Sequence, residues 1–326
     1  MKKRILGSSG LEVSEIGLGC WQLGGDFGPV DDARANSILS EAYRQGIDFW
    51  DTADVYGGGL SEQRIAAFLE TVPGGVTVAT KVGRDSSLFP DRYTKQAVRA
   101  GLESSLARLG TDAIDLAQLH CVPPGVLADG DILAWMEDFQ SEGLIRHFGA
   151  SVQTLDEALL ALGHPKLASL QIIFNLFRQD AIERLFPVAE ANDVGIIVRL
   201  PLASGILAGK MNRDTVFAET DHRHYNREGA AFSQGETFSG IPFERALDLV
   251  EQLRQMVPEG FSMAQMAMRW LLDHPAVSTV ITGATRPAQV AENASVSDLA
   301  PLPPELHDRL ARFYRSEVAP AISVPV

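Results

Sequence analysis

Cysteine is scarce in this sequence: only Cys20 and Cys121 occur among 326 residues. Two cysteines provide neither a disulfide framework nor the paired spacing of a zinc site, so they favour a reducing, cytoplasmic location. No apolar run approaches the roughly 18 residues of a membrane span, and we therefore expect none. The positively charged start, MKKRILGSSG, is not followed by the apolar segment that a secretory signal requires.

Basic residues are also few, with 28 Lys and Arg against 42 Asp and Glu, and the formal net charge is −14. Broad nucleic-acid binding needs a basic face that neutralises phosphates, so the charge balance argues against it. Any anionic ligand must instead bind at a local cluster of positive charge. No linker-like segment interrupts the chain, so we expect a single domain over residues 1–326.

Eight short apolar runs recur along the chain, separated by longer amphipathic segments. Their continuous hydrophobicity is typical of parallel strands that are buried on both faces. The runs cover residues 14–20, 46–51, 76–81, 113–120, 145–151, 168–174, 194–200 and 277–282. Eight strand–helix pairs predict an α/β fold, a closed (β/α)8 TIM barrel. An open doubly wound sheet is disfavoured, because GLGCWQLGG after the first run lacks the third glycine of the dinucleotide-binding fingerprint.

Helix start signals occur between the apolar runs. The segments Thr154–Glu157 and Ser262–Gln265 have capping-box spacing, in which a side chain and a backbone group satisfy each other. Asp180 has the position of a cap for the helix that follows it. The segment 95–109 places Val98, Leu102, Leu106 and Leu109 on one helical face.

Two further segments complete the predicted barrel. Residues 2–14 predict an N-terminal β-hairpin that covers the bottom of the barrel. Residues 211–245 have little periodicity and many polar side chains, which predicts a long functional loop after the seventh strand.

Titratable residues stand at consecutive strand ends, which share one face in a barrel. Asp51 ends the second predicted strand, Tyr56 follows in a glycine-rich turn, and Lys81 and His120 end the third and fourth. Ordinary turn chemistry also explains Asp51 and the glycines after Tyr56. The four residues together, however, suit proton donation to an oxygen that gains negative charge. A positive Lys81, held by a buried Asp51, would favour the phenolate of Tyr56.

The chain resembles the aldo-keto reductase superfamily from about residue 3 to 294, in the order and spacing of its motifs. The stretches DTADVYGGG (51–59) and VITGATRPAQVAEN (280–293) are among those that carry the resemblance. The resemblance implies a TIM barrel that transfers a hydride reversibly between NAD(P)H and an aldehyde or ketone. It makes Tyr56 the general acid, with Asp51 and Lys81 tuning it.

The resemblance also implies where the substrate and the cofactor bind. His120 would bind the carbonyl, and Trp21 is expected to form a wall of the substrate pocket with Tyr56 rather than a core contact. The implied cofactor-binding residues are Trp21, Asp51, Ser151, Gln171, Arg199, Pro201, Leu202, Ser204, Gly205, Lys210, Gly283, Ala284, Arg286, Gln289, Glu292 and Asn293.

Two positions depart from the usual pattern around the nicotinamide. Ser151 and Gln171 would bind its carboxamide, but Val152 stands where the family usually has Asn. Arg199 stands where the family tends to have an aromatic residue. Its guanidinium would either stack on the nicotinamide ring or reach the pyrophosphate.

The phosphate groups of the cofactor have two expected binding segments. PLASGILAGK (201–210) would wrap the pyrophosphate with backbone N–H groups, the Ser204 hydroxyl and Lys210. Arg286 precedes a predicted helix and is placed to bind a ribose 2′-phosphate. NADPH is therefore the expected cofactor, with NADH as an alternative. Gln289, Glu292 and Asn293 lie on one face of that helix, where they could meet the adenine.

Other functions remain open at this point. A regulatory barrel would hold NADPH as a redox-sensing ligand with little turnover, as some channel-associated relatives do. A barrel isomerase or hydrolase would need a metal cluster or a nucleophile, which the strand ends lack. His222 and His224 are expected to serve a substrate loop or to be solvated, and no metal is expected.

The expected partner is a small carbonyl compound, with no nucleic acid and no membrane involved. Specificity in such a barrel is expected to come from its loops. The loops are 21–30, 121–130 and 211–245, with Trp21, Phe27, Phe232 and Phe238 as aromatic side chains.

Overall fold

The computed structural model describes residues 1–25, 28–219, 221–231 and 233–326. Eight parallel strands close into a barrel in the order β10-β3-β4-β5-β6-β7-β8-β9, which confirms the predicted (β/α)8 fold. The barrel strands are β3 (Ile16–Gly19), β4 (Phe49–Asp51), β5 (Thr77–Val82), β6 (Ile114–His120), β7 (Ile145–Ser151), β8 (Ser169–Ile173), β9 (Gly195–Arg199) and β10 (Val277–Gly283).

Every predicted apolar run overlaps a barrel strand, but the bounds differ by a few residues, and some strands begin later than the run. The second run starts at Gly46, whereas β4 starts at Phe49. Gly46 has a φ of 73°, and the Ile47 N–H still donates to the carbonyl of Ala42 in the preceding helix. The first residues of this run therefore belong to a helix-ending turn, for which glycine is suited.

Helices surround the barrel and connect its strands. They are α1 (Asp32–Arg44), α2 (Leu60–Leu69), α3 (Lys95–Leu109), α4 (Pro124–Asp129), α5 (Asp131–Ser141), α6 (Leu155–Ala161), α7 (Ala181–Arg184), α8 (Phe186–Ala191), α9 (His222–Tyr225), α10 (Phe243–Arg254), α11 (Met263–Leu272), α12 (Pro287–Ala294) and α13 (Pro304–Phe313). In the described parts of the chain, no helix is both long enough and apolar enough to cross a membrane.

Two of the three helix caps predicted from the sequence are present in the structure. Thr154 and Ser262 each form a complete capping box, with Glu157 and Gln265 respectively. The prediction that Asp180 caps α7 by its side chain is wrong. Asp180 precedes that helix in a helical conformation and accepts a hydrogen bond from the Tyr314 hydroxyl instead.

Helix α3 has the predicted bounds and the predicted apolar face. Val98, Leu102 and Leu109 are buried against the barrel, and Leu106 is half-buried.

The predicted N-terminal hairpin is present as β1 (Lys3–Ile5) and β2 (Glu12–Ser14). Arg4 donates hydrogen bonds of 2.6 Å to the Leu272 carbonyl and 2.8 Å to the Val277 carbonyl, next to the start of β10. The hairpin therefore closes the end of the barrel at which the strands begin.

An apolar layer inside the barrel packs on this hairpin. It contains Leu6, Val13, Phe49, Ala79, Leu116, Ile197 and Ile281, contributed by the hairpin and five strands. A second, larger apolar cluster fills the space between the strands and the helices. The bottom half of the barrel is thus a packed core, and the opposite end is where a ligand site is expected.

The segment between β9 and α10 contains only α9 and short 3-10 turns among its described residues. It ends three residues earlier than the predicted 211–245, since Pro242, in an extended conformation, is the N-cap of α10 and the helix begins at Phe243. Residues 323–326 pack on this segment. The Ser323 hydroxyl donates to the Gly240 carbonyl at 2.9 Å, and Arg178 donates to the carbonyls of Ser239 and Pro325.

Candidate active site

A polar layer lies directly above the apolar layer inside the barrel. Side chains alternate along a strand, so the residue two positions after an inward-facing residue also faces inward. Asp51 follows Phe49 in this way, Lys81 follows Ala79, and Gln118 follows Leu116. This alternation positions the polar side chains at the open end of the barrel.

Lys81 lies at the centre of this layer. Its Nζ donates to Asp51 Oδ2 at 2.5 Å, to the Thr52 carbonyl at 2.8 Å and to the Tyr56 hydroxyl at 3.1 Å. The Lys81 and Asp51 side chains are almost fully buried, with 1% and 2% exposure. Burial alone would lower the pKa of Lys81, but Asp51 and Tyr56 outweigh it, and the net pKa is raised. Lys81 is therefore an ammonium that contacts the phenol.

Two amides hold Asp51 from its other side. Gln118 Nε2 donates to Asp51 Oδ1 at 3.0 Å, and Gln171 Nε2 donates to the same oxygen at 2.8 Å. With Lys81 on Oδ2, both carboxylate oxygens have buried donors. Gln118 was absent from the predicted site, although its position two residues before His120 on the same strand places it on the same face.

Tyr56 lies in a turn that packs tightly against the turn after β3. A Cβ on Gly24 would lie 2.6 Å from the Gly57 nitrogen, and a Cβ on Gly57 would lie 2.6 Å from the Gly24 carbonyl oxygen. Only glycines permit this approach. It stacks Trp21 on Tyr56 with 5.8 Å between ring centroids and an interplanar angle of 19°.

The pKa of Tyr56 does not follow the sequence-based expectation. Lys81 does lower it, as expected, but burial of the hydroxyl has the larger effect and raises the net pKa above its usual value of 10.0. Asp51 and Glu236 add to the rise because a phenolate would be repelled by their charges. The phenol is therefore protonated at neutral pH and can donate its proton.

His120 faces Tyr56 edge to face, with 5.9 Å between ring centroids. Burial lowers the pKa of His120 well below 6.5, and the nearby Arg84, Lys81 and Arg199 lower it further. Its Nδ1 is buried without a hydrogen-bond partner among the described residues. A neutral imidazole at this position can hydrogen-bond a substrate oxygen.

Arg199 is held by the two residues directly after β7 and by a residue of the segment after β9. It donates to the Val152 carbonyl at 3.0 Å and to Gln153 Oε1 at 3.1 Å, and its Nη1 lies 3.4 Å from Glu236 Oε2. Arg84 approaches the same carboxylate, with 3.3 Å from its Nη1 to Glu236 Oε1. Neither Arg84 nor Glu236 belonged to the predicted site.

These groups line one open cleft with a volume of about 450 Å³. It extends from Trp21, Tyr56 and His120 across the barrel mouth to Gln289 and Asn293 on α12. Predicted residues that line it are Trp21, Asp51, Tyr56, His120, Ser151, Gln171, Arg199, Pro201, Leu202, Ser204, Gly205, Lys210, Gly283, Ala284, Gln289 and Asn293. A cleft of this size is large enough for a ligand of cofactor size.

Three predicted residues do not line the cleft. Lys81 lies beneath it, in contact with Tyr56, while Arg286 and Glu292 are exposed at its outer end. Arg286 is the residue directly before α12, and Arg34 reaches the neighbouring Thr285 carbonyl at 3.2 Å. Two guanidiniums thus flank the start of this helix.

The loop after β9 has an unusual backbone. Leu200, Ala203 and Ser204 have φ values of 53°, 47° and 58°, and Gly205 has 92°. Such conformations cost non-glycine residues on the order of 1–3 kcal/mol each and cluster at ligand sites. The Ser204 hydroxyl donates to the Glu236 carbonyl at 2.9 Å, and its contact with the pyrophosphate stays a prediction.

The histidines of the long segment have different positions. His222 is buried and packs on Trp21 with 5.0 Å between ring centroids, whereas His224 is exposed. Burial lowers the pKa of His222 to about 4. In the described part of the chain, no three His, Cys, Asp or Glu side chains are placed to hold a metal ion.

The aromatic residues predicted for specificity also differ in position. Phe238 is buried against Phe217 and Phe243 and does not line the cleft, contrary to the prediction. Phe27 and Phe232 lie outside the described residues.

Comparison with known proteins identifies the family. A sequence model described as the aldo/keto reductase family matches residues 15–315. The chain belongs to the aldo/keto reductase family. This aldo/keto reductase is 30% identical to the uncharacterized oxidoreductase YqkF of Bacillus subtilis (strain 168), over 91% of this chain and 92% of YqkF.

Two other relatives of this aldo/keto reductase differ in their described roles. A probable voltage-gated potassium channel subunit beta of Oryza sativa subsp. japonica is 29% identical over 97% of this chain and 98% of that protein. The holo form of aldo-keto reductase AKR11C1 from Bacillus halodurans superposes with a TM-score of 0.78 at 27% identity, covering 96% of both chains. The family supports an oxidoreductase activity that uses a nicotinamide cofactor.

Proposed function

We propose that this aldo/keto reductase reduces an aldehyde or ketone with NADPH and that Tyr56 donates the proton to the carbonyl oxygen. The observation that carries the proposal is the contact of the Lys81 ammonium with both Asp51 and the Tyr56 hydroxyl at the base of the cleft. The arrangement stabilises negative charge on the tyrosine oxygen at the moment its proton leaves.

Each residue of this group has a distinct part in the proposed reaction. When bound, the nicotinamide supplies the hydride to the carbonyl carbon. Tyr56 supplies the proton, and the neutral His120 holds the carbonyl oxygen within reach of the phenol. Lys81 stabilises the developing phenolate, and Asp51 keeps Lys81 in place and charged. In the reverse direction Tyr56 takes the proton back.

The residues present fit a nicotinamide cofactor. Ser151 and Gln171 lie at the Tyr56 end of the cleft, and their polar groups suit a carboxamide. The left-handed residues 203–205 form a concave backbone of the kind that binds phosphate. Preference for NADPH rests on Arg286 at the start of α12, where a 2′-phosphate would also meet Arg34.

The first experiment measures NADPH and NADH oxidation by the purified protein against a panel of aldehydes and ketones. Tyr56→Phe removes only the proton donor, so we expect kcat to fall about 100- to 10,000-fold. Its Kd for NADPH should stay within about twofold, because the ring that stacks on Trp21 remains. A variant with unchanged kcat would exclude Tyr56 as the acid.

A second candidate function is that of a regulatory barrel that binds NADPH with little turnover. The similarity to a probable channel subunit beta favours it as the alternative. It predicts tight NADPH binding, measurable by fluorescence, without multiple turnover on any carbonyl compound. The protonated Tyr56 hydroxyl beside Lys81 favours the enzyme instead.

A further inference from the structure

Gln22 lines the cleft but has no part in the predicted site or in the proposed reaction. It lies in the short 3-10 turn after β3, directly after Trp21, whose ring stacks on Tyr56. The same turn is fixed by the close contact between Gly24 and Gly57. The position of Gln22 is therefore set by the packing that also positions the candidate proton donor.

The side-chain amide of Gln22 packs directly on the backbone of Gly283, the last residue of β10. A Cβ on Gly283 would lie 1.8 Å from Gln22 Nε2 and 2.6 Å from Gln22 Oε1, so only glycine leaves room for the amide there. Gly283, Ala284 and Thr285 line the same cleft as Gln22. The amide thus lies at the barrel rim where β3 and β10, which are neighbours, both end.

One atom of this amide lacks a hydrogen-bond partner. Gln22 Oε1 is buried and accepts no hydrogen bond from the described residues. A buried acceptor without a partner is costly, and such groups are uncommon in native structures. The terminal torsion of a glutamine side chain has a broad range, so the amide can turn its oxygen toward the cleft. A ligand that donates a hydrogen bond would then satisfy Gln22.

The chemistry of the amide selects among the groups of a dinucleotide. Phosphate oxygens accept hydrogen bonds, whereas Oε1 needs a donor. A ribose hydroxyl both donates and accepts, which matches the acceptor and the donors of an amide.

The position of Gln22 indicates which ribose it could meet. In the proposed binding mode the nicotinamide lies beside Tyr56 and the 2′-phosphate lies beside Arg286. Gln22 follows Trp21, which stacks on Tyr56, and packs on Gly283, three residues before Arg286. It therefore lies between the two ends of the cofactor, directly next to the nicotinamide end.

We propose that Gln22 binds a hydroxyl group of the ribose that carries the nicotinamide and so helps to hold this end of the cofactor. The inference rests on the proposed function, because it takes the dinucleotide to lie along the cleft. This ribose is common to NADPH and NADH, so Gln22 would contribute equally to the affinity for both. It would contribute nothing to binding of the adenosine end.

The test compares dissociation constants of the wild type and Gln22→Leu for three ligands. NADPH and NADH are titrated by fluorescence, and adenosine 2′,5′-bisphosphate, which lacks the nicotinamide ribose, is titrated by calorimetry. Because one hydrogen-bonded group is lost, we expect the Kd for each dinucleotide to rise about fivefold to tenfold. The Kd for adenosine 2′,5′-bisphosphate should change by no more than about twofold.

Two further variants separate this effect from a general loss of structure. Gln255→Leu changes an exposed glutamine at the end of α10, outside the cleft, and should leave all three constants unchanged. Gln22→Ala removes the amide without adding a branched side chain, and it should raise the Kd for both dinucleotides as Gln22→Leu does. Circular dichroism checks that each variant is folded.

The contact is supported if both Gln22 variants bind the two dinucleotides more weakly while adenosine 2′,5′-bisphosphate and Gln255→Leu show no change. Three results overturn it. They are an unchanged Kd for the dinucleotides, an equal rise for adenosine 2′,5′-bisphosphate, and a rise for NADPH alone, which would place Gln22 at the 2′-phosphate.

Turnover separates a failure of this contact from a failure of the proposed function. If the dinucleotides bind but no carbonyl compound is turned over, the reductase proposal fails, and the Kd values still decide the role of Gln22. If the wild type turns over and its Kd equals that of Gln22→Leu, only the contact fails. If the wild type binds neither dinucleotide, both proposals fail.

Discussion

Tyr56 and His120 lie edge to face in the cleft, and burial shifts their pKa values in opposite directions. Burial favours the neutral form of both groups, so the phenol keeps its proton and the imidazole does not take one up. A carbonyl substrate requires both groups in these neutral forms. Lys81 is the charged member, and Asp51 compensates for its burial.

The pH profile of the reaction should therefore be flat near neutrality. Tyr56 stays protonated because its pKa is raised, and His120 stays neutral because its pKa is lowered well below 6.5. We expect kcat for a neutral aldehyde to change by less than about twofold between pH 7 and 9. Steady-state rates in buffers of constant ionic strength test this. A fall in kcat with an apparent pKa near 8 would show that one of the two residues titrates there.

Asp54, two residues before Tyr56, is a half-buried acid that forms no ion pair with the described residues. Burial and, to a smaller extent, the nearby Glu62 raise the pKa of Asp54 to about 7, and its Oδ1 has no hydrogen-bond partner among the described residues. In the unfolded chain this carboxyl ionises near pH 4. The folded state therefore binds the extra proton between these two values.

Stability should consequently fall as the pH rises from about 4 to 7, because the folded protein must then ionise Asp54 at a cost. Asp54→Asn removes this cost. We expect it to raise the free energy of unfolding at pH 8 by up to about 4 kcal/mol, and to have little effect at pH 4. Urea unfolding of both proteins at the two pH values measures the difference. Equal effects at both values would contradict a raised pKa in Asp54.

At the scale of secondary-structure elements, the packing of the two turns that carry Trp21 and Tyr56 depends on the contact between Gly24 and Gly57. Gly24→Ala would place its Cβ 2.6 Å from the Gly57 nitrogen and 2.7 Å from the Tyr56 carbonyl carbon. We expect it to lower the free energy of unfolding by about 1–3 kcal/mol. It should also lower kcat, because the phenol moves away from Lys81.

A matched variant distinguishes this contact from a general effect of removing glycine. Gly125→Ala adds a methyl group to α4, where nothing lies within 4 Å of the new Cβ. It should change stability by no more than about 1 kcal/mol and leave kcat unaltered. If Gly24→Ala behaves like Gly125→Ala, the close packing of the two turns is not required.

Strands and strand-end residues could be predicted from sequence because both follow from local patterns. Continuous apolar runs indicate buried parallel strands, and the last residues of such strands meet on one face of a barrel. Asp51, Lys81 and His120 converge for this reason. Gln118 could have been found by the same alternation, since it lies two residues before His120 on β6.

Other features depend on contacts between distant residues and had no local signal. Glu236 meets Arg84 across 152 positions of the sequence. Asp180 had the correct spacing for a cap, but its side chain accepts a hydrogen bond from the Tyr314 hydroxyl, 134 positions away. The direction of the Tyr56 pKa shift could be determined only from the structure. Lys81 and burial have opposing effects on this pKa, and the depth of the hydroxyl decides which effect is larger.

At the scale of the whole molecule, residues 323–326, which end the described chain, pack against the segment that carries Glu236. Ser323 binds the Gly240 carbonyl, Arg178 bridges Ser239 and Pro325, and a Cβ on Gly240 would overlap Val324 at 2.3 Å. These contacts hold the segment over one side of the cleft.

Deleting residues 323–326 should therefore weaken cofactor binding without unfolding the barrel. We expect the Kd for NADPH to rise about tenfold, which corresponds to about 1.4 kcal/mol. Fluorescence titration measures the Kd, and circular dichroism checks the fold. Arg245→Gln is a suitable control, since Arg245 binds Glu317 and contacts none of these four residues in the hydrogen bonds described. An unchanged Kd in the deletion variant would show that the segment holds its position unaided.

The N-terminal hairpin lies at the other end of the barrel from the cleft, with Arg4 fastened to the start of β10. The positions of the two chain ends relative to the cleft decide how the protein should be attached to a bead, an electrode or a fluorescent partner. A linker joined before Met1 leaves the mouth of the barrel facing the solution. A linker joined after Val326 would leave from the rim of the cleft and pull on the residues that brace it.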